Sequence, residues 1–394
     1  MVESSNFFGY ETLGIFLMMA LYILLAVYMP YYGITFIHVT GVAMLLGVGF
    51  GWIFYHVSFM QFSGPIDFDD QQFFYFILPP IVFAAGYNMK RKRFFSNIAV
   101  ICLFGILGTL VCFITSSACS IFYGWMGWVI TTGGETVDIT VKESLLISSV
   151  MGSSDTVAIL SIVSEVDTPK MFSIIFGESI VNDAVAIIMY QAALQVNFDT
   201  ISGGKVGQWL LQILYQLVTS TLLGSFFGLL TAAITKHCSQ LEGHAVFEIA
   251  FLFFMSMSGY VIALICSISG IITILITGAI MGHYCYYNLS PTARDSGRIA
   301  FQVLGEMVED FVFIYLGLTT WKYLFTSLSI YYVLGMVFSI LLGRVFSCFL
   351  LPLCWHVFRQ FPLKLNELGM IWFGGSIRGC IAFGLILSVD TEHK

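Results

Sequence analysis

Met151-Gly152-Ser153-Ser154-Asp155-Thr156 sits in the middle of an otherwise apolar run at 144–163, and Phe373-Gly374-Gly375-Ser376-Ile377-Arg378-Gly379 sits in the middle of another at 366–388. Both stretches put glycine, hydroxyl and charge where a membrane helix would carry apolar side chains. A broken helix is tolerated at membrane depth only where protein or a water-filled cavity satisfies the freed backbone groups. Two interrupted segments in corresponding halves of a chain mark an inverted-repeat transporter with a site near the midplane. The two runs are the fifth and the twelfth of twelve, an odd offset, so they cross in opposite directions. Ser154 and Asp155 are placed to cap exposed amides at one break, and Arg378 supplies a fixed positive charge at the other.

The remaining apolar windows fall near 12–31, 34–55, 72–89, 96–123, 171–196, 208–235, 245–267, 270–287, 300–319 and 328–356. Of 394 residues, 58% are hydrophobic and 10% charged. A soluble domain carries about 25% charged residues, which excludes a soluble, disordered or fibrous protein. Roughly 20 residues cross the hydrocarbon as a helix, so twelve crossings leave little chain for a soluble catalytic unit. The expected fold is an all-α polytopic membrane protein, with residues 1–394 forming one membrane domain. The net charge is -7 and no basic patch exceeds Lys90-Arg91-Lys92-Arg93, so nothing points to nucleic acid. The nine cysteines form no CxxC pair, and Cys102, Cys112, Cys266 and Cys348 read as small packing residues of a reduced interior. The seven histidines show no metal spacing. The acidic start of the chain lacks the basic flank of a signal peptide, so the first run reads as a retained span.

Lysine and arginine accumulate in cytoplasmic loops. Lys90, Arg91, Lys92, Arg93, Lys170, Lys236, Arg294, Arg298, Arg359 and Lys364 fall in one set of alternate loops; Lys142, Lys205, Lys322 and Lys394 fall in the other. The first set marks the cytoplasmic face and leaves both chain ends opposite. Asp67, Asp69, Asp70, Glu135 and Asp138 then face outward, and the sequon Asn288-Leu289-Ser290 lies inside, where it stays unmodified.

The spans hold too many acids. Asp155, Glu178, Asp183, Glu306, Glu309 and Asp310 lie within apolar windows, and each costs about 2.5–3.5 kcal/mol to insert. Only Arg344 and Arg378 share that depth. The surplus acids must take protons, bind cations or reach water, which are the properties of an ion pathway. Blander roles fit some of them: Glu248, near a helix end, reads as solvated or structural. Glu306, Glu309 and Asp310 share a helix face that would line a cytoplasmic vestibule. Arg344 and Arg378 read as internal ion-pair partners. Asp183 is hardest to assign a purely structural role, since Gly177-Glu178 precedes Asn182-Asp183 by one turn.

Phe176-Gly177-Glu178-Ser179-Ile180-Val181-Asn182-Asp183-Ala184-Val185 resembles the ion-site motif of eukaryotic sodium/proton exchangers, within the monovalent cation/proton antiporters. Leu78-Pro79-Pro80-Ile81-Val82-Phe83, Ser269-Gly270-Ile271, Phe313-Ile314-Tyr315-Leu316-Gly317, Leu342-Gly343-Arg344 and Gly374-Gly375-Ser376-Ile377-Arg378-Gly379 extend the likeness from about residue 70 onward in the family's order. Val181 to Ile187, with His283-Tyr284 and Asn288-Leu289-Ser290, look most like the endomembrane subgroup, and an endosome/Golgi-type or plasma membrane is the expected location.

The resemblance implies an antiporter fold with inverted repeats and two crossing broken helices, working as a homodimer by elevator-like alternation. Spans 1–3 and 8–10 (12–89 and 245–319) would form the dimerisation scaffold. Spans 4–6 and 11–12 (96–196 and 328–388) would form the transporting core, with 208–235 as the linker helix. Asp183 matches the cation- and proton-binding aspartate, Asn182 the asparagine before it, and Asp155, with Ser154 beside it, the acid of the crossing. Na+ or K+ would sit at Asp183 and Asp155. Glu178, Arg378, Arg344 and Glu309 match positions used for charge pairing and site organisation. Na+ or K+, H+ and the surrounding lipid are the implied partners, with no cofactor.

The chain departs from the family where Ser154-Asp155-Thr156 replaces a proline-containing crossing, and where Leu264 stands in place of an acid. The family also leads us to expect a thirteenth span and a cytoplasmic tail beyond Lys394. The expected activity is exchange of Na+ or K+ for H+, one for one because Asn182 is neutral. An ion channel, or a voltage- or pH-sensing protein on the same fold, is the alternative, and sharp saturation with counter-transport separates them. A membrane enzyme would need a nucleophile/base or metal set, and the sequence holds no HExxH or histidine cluster.

Overall fold

The computed structural model describes residues 2–33, 38–56, 73–130, 136–155, 163, 167–195, 203–238, 240–241, 243–324, 329–358 and 363–387. In hydrocarbon each backbone N–H and C=O must find a partner within the protein, which favours helices, and the described residues contain no named strand. In chain order the helices are α1 (Val2–Tyr31), α2 (Val39–His56), α3 (Phe73–Asn88), α4 (Ile98–Trp125), α5 (Val141–Val150), α6 (Pro169–Gln195), α7 (Gly203–His237), α8 (Ala245–Ile265), α9 (Gly270–Tyr284), α10 (Pro291–Leu324), α11 (Ile330–His356), α12 (Leu365–Gly374) and α13 (Cys380–Leu387). Among the described residues, seven helices are long and apolar enough to cross a membrane. The 34-residue α10 reaches as far but carries a charged face.

Two sets of helices pack among themselves. In one, α10 lies along α2 and α3, while α9 fills the groove between α3, α7 and α8. In the other, α4 packs on α11 and α5, and α6 packs on α4 and α5. The sets meet where α6 touches α7 and where α10 touches α13. The α2–α10 crossing is as close as backbones allow: a β-carbon added to Gly47 would lie 2.9 Å from the Gly317 Cα, and one added to Gly317 would lie 2.9 Å from the Gly47 Cα. Small residues permit such approach between membrane helices, where packing rather than the hydrophobic effect drives association.

Both broken helices appear where the sequence interrupts them. Thr140 caps α5 with Glu143, the Thr140 N–H donating to Glu143 Oε2 at 2.8 Å and the Glu143 N–H to Thr140 Oγ1 at 3.2 Å. At α12 the Lys364 N–H donates to Glu367 Oε2 at 2.6 Å. Each half-helix is 10 residues long. Beyond α5 the chain turns at Gly152 and is non-helical through Asp155, and the continuation at 156–162 lies outside the described residues. Beyond α12 the chain turns through Gly375 and resumes as α13. The breaks satisfy each other, since the Asp155 N–H donates to the Ile377 carbonyl at 2.9 Å. The sequence did not foretell three π-helical turns, at Phe73–Ile77, Leu103–Gly108 and Phe346–Leu350. The latter two lie within α4 and α11 and pack on one another.

Candidate functional site

α6 runs unbroken past the α5 break and presents Glu178, Ser179, Asn182 and Asp183 to it. Ser153 Oγ donates to Asp183 Oδ1 at 2.6 Å, and Asn182 Nδ2 donates to Ser154 Oγ at 2.8 Å. Ser179 Oγ donates to the Ser154 carbonyl at 2.9 Å. From the second break, Arg378 Nη1 donates to the Ser153 carbonyl at 2.8 Å. Non-helical backbone at this depth is therefore held by side chains from α6 and by Arg378.

One turn before Asn182, Glu178 meets Arg344 of α11, with 2.7 Å between Oε1 and Nη1, and both side chains are no more than 3% exposed. The guanidinium lies against Gly375 in the second break, in the space a β-carbon would need. A buried pair of this kind is costly to break from one side, because the remaining charge is stranded. The sequence treats Arg344 and Arg378 alike as charge partners; the structure separates them. Arg344 pairs with Glu178, and Arg378 ties down the α5 break through a carbonyl.

Asp155 and Asp183 lie at the inner end of a cleft of about 500 Å³ between the two helix sets. The exposed Lys90, Arg298 and Gln302 line its mouth on the basic face, and Glu306 and Glu309 of α10 line one wall. Glu309 thus stands across the cleft from the aspartates. Its neighbours on α10 are engaged: Asp310 accepts from Tyr22 Oη at 2.7 Å, and Glu306 from Gln302 Nε2 at 2.8 Å. Glu248 is a brace, accepting the backbone N–H of Gly243 at 3.0 Å and of Ser290 at 2.8 Å. Asn288 of the sequon donates its amide to the Ala232 carbonyl at 3.0 Å.

The arrangement offers carboxylate and hydroxyl oxygens on the wall of an open cleft, a donor set suited to hard cations. Among the described residues no three His, Cys, Asp or Glu side chains gather into a site for a transition metal. Sequence reasoning missed Thr109, whose hydroxyl lies 2.9 Å from Asn182 Oδ1, and Ser179. A threonine or serine in a membrane helix commonly bonds its own preceding turn, so neither residue type announces a tertiary contact.

Residues 19–393 match the family model described as "Sodium/hydrogen exchanger, transmembrane". "Sodium/hydrogen exchanger 4" of Arabidopsis thaliana is 32% identical over 365 residues, covering 89% of this chain and 67% of that protein. "Sodium/hydrogen exchanger 9" of Homo sapiens is 29% identical over 333 residues, covering 83% of this chain and 51% of its own length. The chain thus spans about two thirds of the plant relative and about half of the human one. The solved structure of the sodium proton antiporter MjNhaP1 from Methanocaldococcus jannaschii superposes with a TM-score of 0.67 at 16% identity, covering 98% of this chain and 88% of that one. That likeness is one of fold.

Proposed function

The chain belongs to the sodium/hydrogen exchanger family, and we propose that this multi-pass integral membrane protein exchanges a monovalent cation, Na+ or K+, for H+. One observation carries the reading: Asp183 lines a cleft between the two helix sets, beside two mutually bonded helix breaks, with one carboxylate oxygen held by Ser153. Such a carboxylate holds one proton or one cation, and the two compete. If the site faces each side of the membrane in turn, that competition couples the two fluxes.

In this reading Asp183 is the exchanging group, and Asp155 and Ser154 complete the cation's surroundings. Glu178, Arg344 and Arg378 hold the breaks in place, and Glu309 sets the field of the cleft. The set α4, α5, α6, α11, α12 and α13 moves as a core. It moves against α1–α3 and α8–α10, which form the scaffold of a homodimer, and α7 links the two. The division of the packing into two sets meeting along the cleft supports this. Asn182 adds no charge, so the loaded site has the same net charge with a proton or a monovalent cation, and exchange is one for one. The membrane is of the endosome/Golgi type or the plasma membrane.

The test is cation-dependent proton flux in proteoliposomes under an imposed pH gradient, with Na+ and K+ in turn. Asp183→Asn is expected to abolish the flux while leaving thermal stability intact, and sustained flux in that variant would overturn the assignment. Voltage clamping tests the stoichiometry, because each net charge moved contributes about 2.3 kcal/mol per 100 mV. A driving force that does not change with voltage supports one-for-one exchange; a shifting reversal potential rejects it.

A further inference from the structure

Thr109 lies at the end of the π-helical turn Leu103–Gly108 of α4, and nothing in the family motifs quoted above includes it. Its side chain is 1% exposed. Its hydroxyl oxygen is 2.6 Å from the Gly105 carbonyl and 2.9 Å from Asn182 Oδ1. The Thr109 N–H is spent on the Ile106 carbonyl, so the hydroxyl is the group of this residue that faces α6. Asn182 is itself 1% exposed, and a buried amide oxygen needs a donor. Among the described residues Thr109 is the side chain that offers one, its single hydroxyl proton shared between Asn182 Oδ1 and the Gly105 carbonyl.

The consequence reaches the cleft. An asparagine side chain has one accepting and one donating end. With Oδ1 turned to the Thr109 hydroxyl, Nδ2 is turned to Ser154 Oγ, 2.8 Å away. Ser154 lines the cleft beside Asp155 and Asp183. Its oxygen receives the Asn182 proton on one side, which constrains how the hydroxyl is presented on the other. The relay Thr109–Asn182–Ser154 thereby joins a π-helical turn in α4 to the wall of the ion site.

We propose that Thr109 is a positioning residue for the cation site: it fixes the orientation of the Asn182 amide and, through it, the polarity of the Ser154 hydroxyl. This rests on the antiport reading above. The bland alternative is that Thr109 merely satisfies Gly105 and fills space, and it makes a different prediction. Valine keeps the shape of threonine and removes the hydroxyl, whereas serine keeps the hydroxyl and removes the methyl group.

The experiment is steady-state cation-dependent proton flux by the reconstituted chain, with Na+ and K+ varied, for the parent, Thr109→Val and Thr109→Ser. Thermal melting of the same preparations with and without each cation is read alongside. Thr109→Val is expected to raise the KM for the cation about tenfold, equivalent to about 1.4 kcal/mol, with a smaller change in maximal rate. Cation-dependent stabilisation should weaken in parallel, and Thr109→Ser should restore both. A parental KM in Thr109→Val overturns the proposal, as does an equal defect in the serine variant, which would make the methyl group the cause. If Thr109→Val does not fold, a raised KM in Thr109→Ser also overturns it, and a parental KM there supports it. A parent chain without cation-dependent flux rejects the antiport reading itself, whereas parental flux with an unmoved KM rejects only the role of Thr109.

Discussion

At Gly375 the Arg344 guanidinium occupies the volume that any other side chain would claim first, so the glycine belongs to the ion pair as much as to the break. Gly375→Ala should push the guanidinium off Glu178. If the pair is lost, the cost is about 3–5 kcal/mol, the range for stranding one partner of a buried pair. Detergent-solubilised protein should then melt at clearly lower temperature, and a parental melting temperature would show that the break absorbs the methyl group. Substitutions at Glu178 and Arg344 should also be non-additive. Glu178→Leu or Arg344→Leu alone should destabilise strongly, while the double substitution should recover part of the loss, since an apolar pair of similar volume is often neutral or better. Arg378 is a residue of another kind, since its bond to the Ser153 carbonyl steadies the segment that carries the Asp183 partner.

Among the elements, α2 and α10 are bound by the absence of side chains. With Gly47 and Gly317 face to face, the helices cannot be recovered by a small rotation once a branched side chain is inserted. Gly317→Val should cost about 1–3 kcal/mol, the usual range for overpacking. It should lower the melting temperature more than it changes the cation KM, because Asp183, Asp155 and Ser153 lie on other elements and α10 contributes Glu309 only to the wall of the cleft. A changed KM with unchanged stability would mean that this crossing tunes the site. The half-helices α5 and α12 are built on the opposite principle. They are short, capped by Glu143 and Glu367 at their outer ends, and left open at their inner ends, where side chains and the opposing break take over. The π-helical turns of α4 and α11 belong to the same device, as such turns often accompany functional sites.

The whole molecule is asymmetric about its midplane. The cleft reaches Asp183 from the basic face. Towards the other face, Phe73 of α3 packs against Gly384 of α13, within the apolar cluster that holds Leu146, Val150, Tyr190 and Leu385. Among the described residues, the cleft at the site opens towards the basic face. Ile180 of α6 lines the cleft. In a background with the native cysteines replaced, Ile180→Cys should react with a membrane-impermeant thiol reagent added to the basic face, and far more slowly with reagent added opposite. Equal rates from both faces would overturn the one-sided arrangement, and if they persist when the site is locked in one orientation they would show a continuous pore, and with it a channel rather than an exchanger.

Much of this was legible in the sequence because hydrocarbon is an unforgiving solvent. Runs of apolar residues have one stable backbone solution there, so twelve windows read directly as an all-helical membrane fold. Glycine, hydroxyl and charge inside such runs are too costly to be accidental, which exposed both breaks and singled out Asp155 and Asp183. Glu178 and Arg344 were legible as charges needing partners, though not as partners of each other. The pairings themselves were decided only by tertiary structure. Ser153 reaches Asp183 across 30 residues of chain, and Arg378 reaches Ser153 across 225. Serine, threonine and arginine have several acceptable partners within reach of any membrane helix, including their own preceding turn, and the local sequence does not choose among them. The choice falls to how the helices cross: Gly47 against Gly317 sets one such approach, and Gly375 beneath Arg344 sets another. Crossing geometry is a sum over contacts between distant segments, so the hydroxyl that holds Asp183, the carbonyl that takes Arg378 and the face to which the cleft opens exist only once the chain has packed.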